Sequence, residues 1–379
     1  MVATLEVAVA GSAPASAASG GAAISPWIPG DGALPANADE DPLVTLTAVA
    51  CPTDGSCVAV GDYTDTSGNQ QGLIEASAGG TWSASEAPLP PPLVEGSDPF
   101  VSLGAVTCPT DGSCVATGNY TDGNGDQEGL IETLAGGQWT PVTAPLPISA
   151  DGNPLATLNA PACPSADACV VTGDFTDTTS VIRSTIDTLS GTWTGQPAPL
   201  PIGASAAQGS TIGAASCPAV GSCVAMANYN DTAGNAQSAI ETLSGGLWSA
   251  DEAPLPADEA TSHERNLLGS VTCSQVGDCV AVGSFTPASG NFQGLIETLS
   301  GGMWTATDAP LPANAPADAF ASLGTVTCAT TDSCVAFGWY YDSSADYHVM
   351  STTLTEGQWM ATEQATPSHP SARNPTNPE

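Results

Sequence analysis

The sequence predicts an all-β fold, a six-bladed β-propeller with four antiparallel strands and one disulfide in each blade. Three observations predict it. The chain repeats a unit of about 55 residues six times. Each copy carries one C-x5-C cysteine pair, and each copy has a tryptophan next to a glycine turn. Strand-like repeats of this length are typical of solenoids, propellers or arrays.

All twelve cysteines belong to these pairs. The pairs are Cys51 with Cys57, Cys108 with Cys114, Cys163 with Cys169, Cys217 with Cys223, Cys273 with Cys279, and Cys328 with Cys334. Zinc is the alternative, but it needs four nitrogen or sulfur ligands, and each copy offers two without a repeated histidine. We therefore expect six local disulfides and, because disulfides persist in oxidising compartments, a secreted, extracellular protein.

The second copy shows the strands of one blade. Residues 103–108 and 114–120 read as strands a and b, joined by a turn that the disulfide would bridge. Residues 129–134 read as strand c, and a Gly-Gly turn leads into strand d over 138–143. Four short antiparallel strands per repeat are typical of a propeller blade. A string of separate small domains is disfavoured, because such a sheet would hardly be stable alone.

The repeats assign residues 25–365 to the propeller. Residues 1–24 are expected to be a degraded signal peptide or a disordered segment, because Ala15-Ser16-Ala17 resembles a cleavage site without a positive region before it. Residues 366–379 are rich in Pro, Ser and Asn, which predicts a disordered tail. Trp27 begins an additional copy of strand d. Either that strand or the Trp359 strand closes the last blade.

The motifs Val106-Thr-Cys-Pro, Gly112-Ser-Cys-Val-Ala and Gly137-x-Trp resemble tandem repeats of secreted proteins from actinobacteria and other high-GC bacteria. That resemblance implies a propeller and no particular activity. A looser similarity to Asp-box and kelch propellers rests on the Gly-Gly turn and the tryptophan. The Asp-box aspartate is missing before that turn, which argues against a sialidase-like assignment.

The charge composition limits the partners. The net charge is −36, there is no lysine, and the only arginines are Arg183, Arg265 and Arg373. We expect no nucleic-acid partner, because binding requires cations that displace counterions from phosphate. No run is long enough for membrane insertion. The expected state is a monomer with a protein or glycan partner that the sequence does not name.

The b–c turns and the d-to-a linkers share one face of a propeller, and they are the variable, acidic segments. We define this as the loop face and predict function there, because loops on rigid scaffolds usually carry it. In copy two, Asp122, Asn124, Asp126 and Glu128 resemble part of a calcium loop with alternating oxygen ligands. We expect no cofactor other than a weakly bound calcium ion there. The alternative is that these residues only shape the turn.

Two further sets of side chains stand out. A carboxyl recurs on strand c at Glu75, Glu132, Asp187, Glu241 and Glu297. It is either a structural group hydrogen-bonded between blades or part of a channel site. Copy six is atypical and has Trp339, Tyr341, Tyr347 and His348 around its b–c turn. These residues are candidate ligand-binding groups for a sugar ring, or they cover the seam of the ring.

No catalytic motif is present, and the pairing of the cysteines excludes a thiol nucleophile. The one irregular polar cluster, Ser262-His263-Glu264-Arg265, lies in a linker. The sequence thus favours a non-catalytic extracellular binding or scaffold propeller, with no catalytic residues. The alternatives are a carbohydrate-binding propeller or a glycan-acting hydrolase or lyase that uses channel carboxylates.

Overall fold

The computed structural model describes residues 32–91, 98–256, 266–287 and 290–364. Within these ranges the regular secondary structure consists of β-strands. They form six antiparallel sheets, one for each repeat. The protein is a six-bladed β-propeller, as the repeats predict. Residues 1–24, 366–379, Trp27 and the cluster at 262–265 lie outside the described residues.

The first three blades run from residue 45 to residue 197. Blade 1 consists of β1 (Thr45–Thr53), β2 (Ser56–Thr64), β3 (Gln70–Ala78) and β4 (Thr81–Glu86). Blade 2 consists of β5 (Ser102–Thr110), β6 (Ser113–Thr121), β7 (Gln127–Ala135) and β8 (Gln138–Thr143). Blade 3 has a first strand in two pieces, β9 (Thr157–Leu158) and β10 (Ala162–Ser165), followed by β11 (Ala168–Thr176), β12 (Ile182–Ser190) and β13 (Thr192–Pro197).

The last three blades repeat this plan. Blade 4 consists of β14 (Ser210–Ile212), β15 (Ser216–Ala219), β16 (Ser222–Asn230), β17 (Ala236–Ser244) and β18 (Leu247–Glu252). Blade 5 consists of β19 (Asn266–Gln275), β20 (Asp278–Phe285), β21 (Gln293–Ser300) and β22 (Met303–Asp308). Blade 6 consists of β23 (Ala321–Thr330), β24 (Ser333–Tyr341), β25 (Tyr347–Thr355) and β26 (Gln358–Glu363).

Strand order within each sheet follows chain order. First strands of successive blades contact one another, as β1 does with β5 and β19 with β23. The first strands therefore lie innermost and the fourth strands outermost. The tryptophan strand β26 pairs with β25, so Trp359 completes its own blade.

The Gly-Gly turns fix the register of the third and fourth strands. In blade 2, Ala135 pairs with Gln138 across Gly136 and Gly137, and both glycines have positive φ, 59° and 81°. A two-residue hairpin loop of this kind needs positive φ at both central positions, which glycine adopts without strain. This turn ends β7 and begins β8 at the residue that the sequence predicts.

All six predicted disulfides are present, each joining the first and second strands of one blade, with Cα–Cα distances of 4.0 to 4.1 Å. No cysteine is free. The second cysteine is buried in five of the six blades, at 1% to 3% exposure, and Cys57 of blade 1 is half-buried.

The core lies between blades. Val58, Val60 and Ile74 of blade 1 pack against Leu103, Val106 and Tyr120 of blade 2. The equivalent aromatic residues of all six second strands are buried: Tyr63, Tyr120, Phe175, Tyr229, Phe285 and Tyr340. Each of blades 2 to 5 thus packs one face against the preceding blade and one face against the following blade.

The seam between blades 1 and 6 differs from the other five interfaces. The first strands of the other successive blades pack against each other. Among the described strands, β1 and β23 do not pack in this way. Leu46 is 51% exposed, whereas the equivalent Leu103 is fully buried. On blade 6, Phe337 is 44% exposed, whereas the equivalent Val60 is fully buried. The end blades therefore keep part of an apolar face open at this seam.

Candidate functional site

The aspartates of the b–c turns act as turn caps. In blade 2, Asp122 Oδ1 accepts the backbone N–H groups of Asn124 at 2.7 Å and Asp126 at 3.0 Å. The equivalent aspartates of blades 1, 3, 4 and 6 accept the same pair of backbone groups. These bonds hold the pKa of Asp122 below its usual value. The repeated aspartate is thus explained by the turn itself.

A second side chain, six residues after the aspartate, meets its other oxygen in several blades. Gln71 donates to Asp65 at 3.1 Å, and Arg183 Nε donates to Asp177 at 2.8 Å. In blade 2 this position is Glu128, which has no proton donor to offer when ionised. Burial, followed by the charges of Asp122 and Asp126, raises the pKa of Glu128 to about 7.

Replacing Glu128 with glutamine is therefore expected to stabilise the protein at pH 8. The amide removes the repulsion and supplies the donor that Gln71 provides in blade 1. The gain should be up to about 1 kcal/mol, the range of partly exposed charge pairs, and should shrink towards pH 5, where the carboxyl is protonated. Urea denaturation measures it. The converse change, Gln71→Glu, is the control and should destabilise the protein. A Glu128→Gln variant that is less stable than the wild type at pH 8 would contradict this account.

The calcium site expected at Asp122, Asn124, Asp126 and Glu128 remains a prediction. Asp122 Oδ1 is engaged by the turn, and Asn124 Nδ2 donates to Asp122 Oδ2 at 3.0 Å. Within the described ranges there is no group of three or more His, Cys, Asp or Glu side chains arranged to hold a metal ion.

The strand c carboxyls do not converge on a channel. Each lies on the third strand of its blade, away from the innermost strand, and is buried. Asp187 lies against Gly195, where the Pro145 carbonyl of the preceding blade also approaches. Both oxygens of Glu132, Asp187, Glu241 and Glu297 are buried without a hydrogen-bond partner in the structure. The carboxyls therefore lie between blades, without the hydrogen bonds that the structural interpretation expects, and have no access to solvent.

Burial has a clear electrostatic consequence for these four groups. It raises the pKa of Glu132, Glu241 and Glu297 to about 8 and that of Asp187 to about 7. An unpaired buried carboxylate is costly, so the neutral acid is favoured. These buried acids with raised pKa values belong to the scaffold, and a ligand cannot reach them.

A groove of about 730 Å³ lies on the loop face of blades 5 and 6. We call it the aromatic groove. Three segments line it: the b–c turn of blade 5, the linker before β23, and the b–c turn of blade 6. The lining residues are Asn291, Phe292, Pro316, Asp318, Ala319, Phe320, Trp339, Tyr341, Asp342, Ser343 and Ala345.

Trp339 is the centre of the ring cluster in this groove. Its ring lies 5.6 Å from Phe292 and 5.3 Å from Tyr341, both edge to face. Tyr347 stacks on Trp339 at 5.9 Å, and Phe320 contacts Phe292 at 5.2 Å. The structure thus brings together three of the four aromatic candidates of copy six. It adds Phe292 and Phe320, which the sequence analysis did not select.

Blade 6 has aromatic rings at two positions where other blades carry polar side chains that bond to the next blade. At the position of Trp339, Asp174 accepts the backbone N–H of Ile212 and Asn228 donates to the Leu268 carbonyl of the next blade. At the position of Tyr347, Gln70 donates to the Val101 carbonyl. Blade 6 has aromatic rings at both positions, and Tyr347 is 57% exposed.

His348, the fourth candidate, belongs to a different set of contacts. It occupies the position of Gln71, with Nε2 3.3 Å from Asp342 and Nδ1 2.8 Å from Glu363. Burial acts to lower the pKa of His348, but the bonds and charges of Glu363 and Asp342 outweigh it and raise the pKa. His348 therefore stabilises the b–c turn of blade 6 and does not line the groove.

The described residues contain no helix that could span a membrane. No protein-family model and no curated protein matches the chain. Similar solved structures include a protein of unknown function from Dyadobacter fermentans, with 10% identity, a TM-score of 0.42, and coverage of 84% of this chain and 95% of that one.

Two sialidases are also similar. A Hadza microbial sialidase has 13% identity and a TM-score of 0.41, covering 84% of this chain and 65% of its own length. The Trypanosoma rangeli sialidase in complex with 2,3-difluorosialic acid has 14% identity and a TM-score of 0.38, covering 83% and 54%. The chain thus spans less than two thirds of either sialidase.

These comparisons correct the expectation of a non-catalytic binding or scaffold protein. Similar structures with a named activity include sialidases, so the non-catalytic expectation is set aside and the glycan-directed alternative is taken up as a proposal. At TM-scores of 0.42 and below, the substrate and the mechanism are not transferred to this chain. What the chain itself shows is a six-bladed propeller with one disulfide per repeat and one aromatic groove on its loop face.

Proposed function

We propose that the chain is a secreted glycan-directed propeller that binds a saccharide in the aromatic groove. The observation that carries the proposal is the ring cluster around Trp339 in a cavity of about 730 Å³. Clefts of this size, mostly apolar with a few polar groups, are the usual form of small-ligand sites. The flat faces of aromatic rings suit the C–H faces of a sugar, and Asn291, Asp318 and Ser343 supply polar groups for its hydroxyls.

The location on the loop face supports the same proposal. Loops from blades 5 and 6 line the groove together with Trp339 and Tyr341 at the end of β24, and loops held by rigid sheets commonly carry binding sites. Six disulfides support export to an oxidising compartment. The repeat motifs support a place among the secreted tandem-repeat propellers of high-GC bacteria. The monomeric state stays a prediction.

A glycan hydrolase or lyase is the form of this proposal that includes turnover. The acids for such a reaction would come from the groove wall, where Asp318 and Asp342 lie. Glu132 and Glu241 do not fit this role, because they are fully buried in separate interfaces. An assay for reducing sugar released from any glycan that binds tests this form of the proposal.

Replacing Trp339 with alanine is expected to weaken saccharide binding at least tenfold, which corresponds to about 1.4 kcal/mol. The change removes the ring that contacts Phe292, Tyr341 and Tyr347. A glycan array with the purified protein identifies a ligand, and calorimetry then compares the variants. Phe337→Ala is the matched control, because Phe337 is an exposed aromatic residue of the same strand outside the groove lining.

Equal binding by wild type and Trp339→Ala would overturn the proposed site. Binding of no glycan at all, by a protein whose six disulfides are intact, would overturn the proposed function.

A further inference from the structure

We infer that the aromatic groove selects saccharides that carry an ammonium group, namely amino sugars with a free amine, over neutral saccharides, and that it excludes anionic ones. This inference rests on the proposed function and concerns the class of its ligand. It is carried by the charges that line the groove, by the placement of every described cation, and by the partly exposed rings of Phe320, Tyr341 and Tyr347.

The groove wall is acidic. Asp318 lies in the linker segment and Asp342 in the b–c turn of blade 6, so two carboxyls from different segments line the groove. Asp342 is kept ionised by the backbone N–H groups of Asp346 and Ser344. His348 of blade 6 contacts Asp342 and Glu363 together. One imidazolium between two carboxylates leaves a net negative charge beside the groove.

No described cation is free to meet an anionic sugar. Arg183 is the only lysine or arginine in the described ranges. Its Nε donates to Asp177, and its two terminal nitrogens donate to the carbonyls of Gln208 and Ala206 in blade 3 and the linker that follows. A carboxylate or sulfate on a sugar would therefore meet no free counter-charge among the described residues, in a chain of net charge −36.

An ammonium group would find two kinds of attraction here. A cation within about 6 Å of an aromatic face is attracted by the ring quadrupole, most strongly for tryptophan. The Asp318 carboxylate supplies a charge-assisted hydrogen bond on the same wall. A neutral sugar keeps the stacking and loses both of these terms, whereas an anionic sugar reverses their sign.

The experiment compares four-residue oligomers of glucosamine, of N-acetylglucosamine and of a uronic acid by calorimetry at constant low salt. We expect the glucosamine oligomer to bind at least tenfold more tightly than the N-acetylated one, and the uronate not to bind. Raising the salt concentration should weaken only the glucosamine complex. The Asp318→Asn variant should lower glucosamine affinity about fivefold to tenfold and leave N-acetylglucosamine affinity unchanged.

Asp332→Asn is the control, because Asp332 is an exposed acid of the same blade in the turn between β23 and β24, outside the groove lining. Tighter binding of the neutral or the uronate oligomer, or an Asp318→Asn variant with wild-type preference, would overturn this inference. If the neutral oligomer binds in a Trp339-dependent way without a preference for the amine, the proposed function stands and only the charge selectivity fails. If no oligomer binds, the proposed function fails as well.

Discussion

Raising the pH from 5 to 8 is expected to lower the free energy of unfolding by several kcal/mol. The cause is the set of buried strand c acids, Glu132, Asp187, Glu241 and Glu297, which have no hydrogen-bond partner in the structure. Their pKa values in the folded protein are about 8, 7, 8 and 8. In the unfolded chain they return to about 4.

The sign follows from proton binding. Between about pH 4 and pH 8 the folded state holds protons that the unfolded state has released, so stability falls as the pH rises. Each unit of pKa shift corresponds to about 1.4 kcal/mol for a fully developed effect. The turn aspartates have the opposite effect below about pH 4. Their pKa values are lowered in the folded protein, so the stability that they contribute is lost as the pH falls. Maximal stability is therefore expected near pH 5.

Urea denaturation from pH 4 to pH 8.5 measures this profile. The triple variant Glu132→Gln, Glu241→Gln, Glu297→Gln keeps the shape of the neutral acid and should flatten the fall above pH 5. The exposed Asp54→Asn is the control and should leave the slope unchanged. A wild-type stability that is constant or rises between pH 5 and pH 8 would contradict the burial of these groups as acids.

The repeated features of the fold are the ones that the sequence predicts well. Strand d of blade 2 has the predicted bounds because the Gly-Gly turn before it and the proline-rich linker after it mark its two ends. The disulfides are equally clear, because five intervening residues allow only a local hairpin link. Identical local signals in six copies point to identical local structures.

Features that depend on a neighbour are not written in the repeat. Leu46 and Leu103 are leucines at equivalent positions of two repeats. Only the neighbouring blade explains why Leu46 is half exposed and Leu103 is buried. The strand c carboxyls alternate with apolar residues, which places them on an inward face but does not show whether a donor meets them. The sequence therefore predicts their recurrence and not their lack of partners.

The aromatic groove is only partly predictable from the sequence. Copy six departs from the repeat at Trp339 and Tyr347, and this departure is what identifies candidates there. Phe292 departs in the same way, since it occupies the position of Gln70 and Gln127, and comparison of the copies at that position is a signal that could have found it. Phe320 has no such signal, because it lies in a linker where the copies differ freely.

Removing the disulfide of blade 2 is expected to cost more stability than removing that of blade 1. The two loops have the same length, so the chain-entropy model assigns each of them roughly 2.4 kcal/mol. Packing separates them. Cys114 is 1% exposed and lies in the apolar cluster between blades 1 and 2, whereas Cys51 is exposed and Cys57 is half-buried beside the open seam.

The double variants Cys51→Ala, Cys57→Ala and Cys108→Ala, Cys114→Ala isolate this difference. Loss of the buried sulfur leaves a small cavity in the second case, which adds about 1 kcal/mol to the loss of the cross-link. Timed reduction with a phosphine, followed by alkylation and mass spectrometry, should show that Cys51–Cys57 opens first, because reagents reach sulfur through solvent. Equal stability losses together with equal reduction rates would mean that blade 1 is covered in solution as fully as the other blades, and the open seam would have to be abandoned.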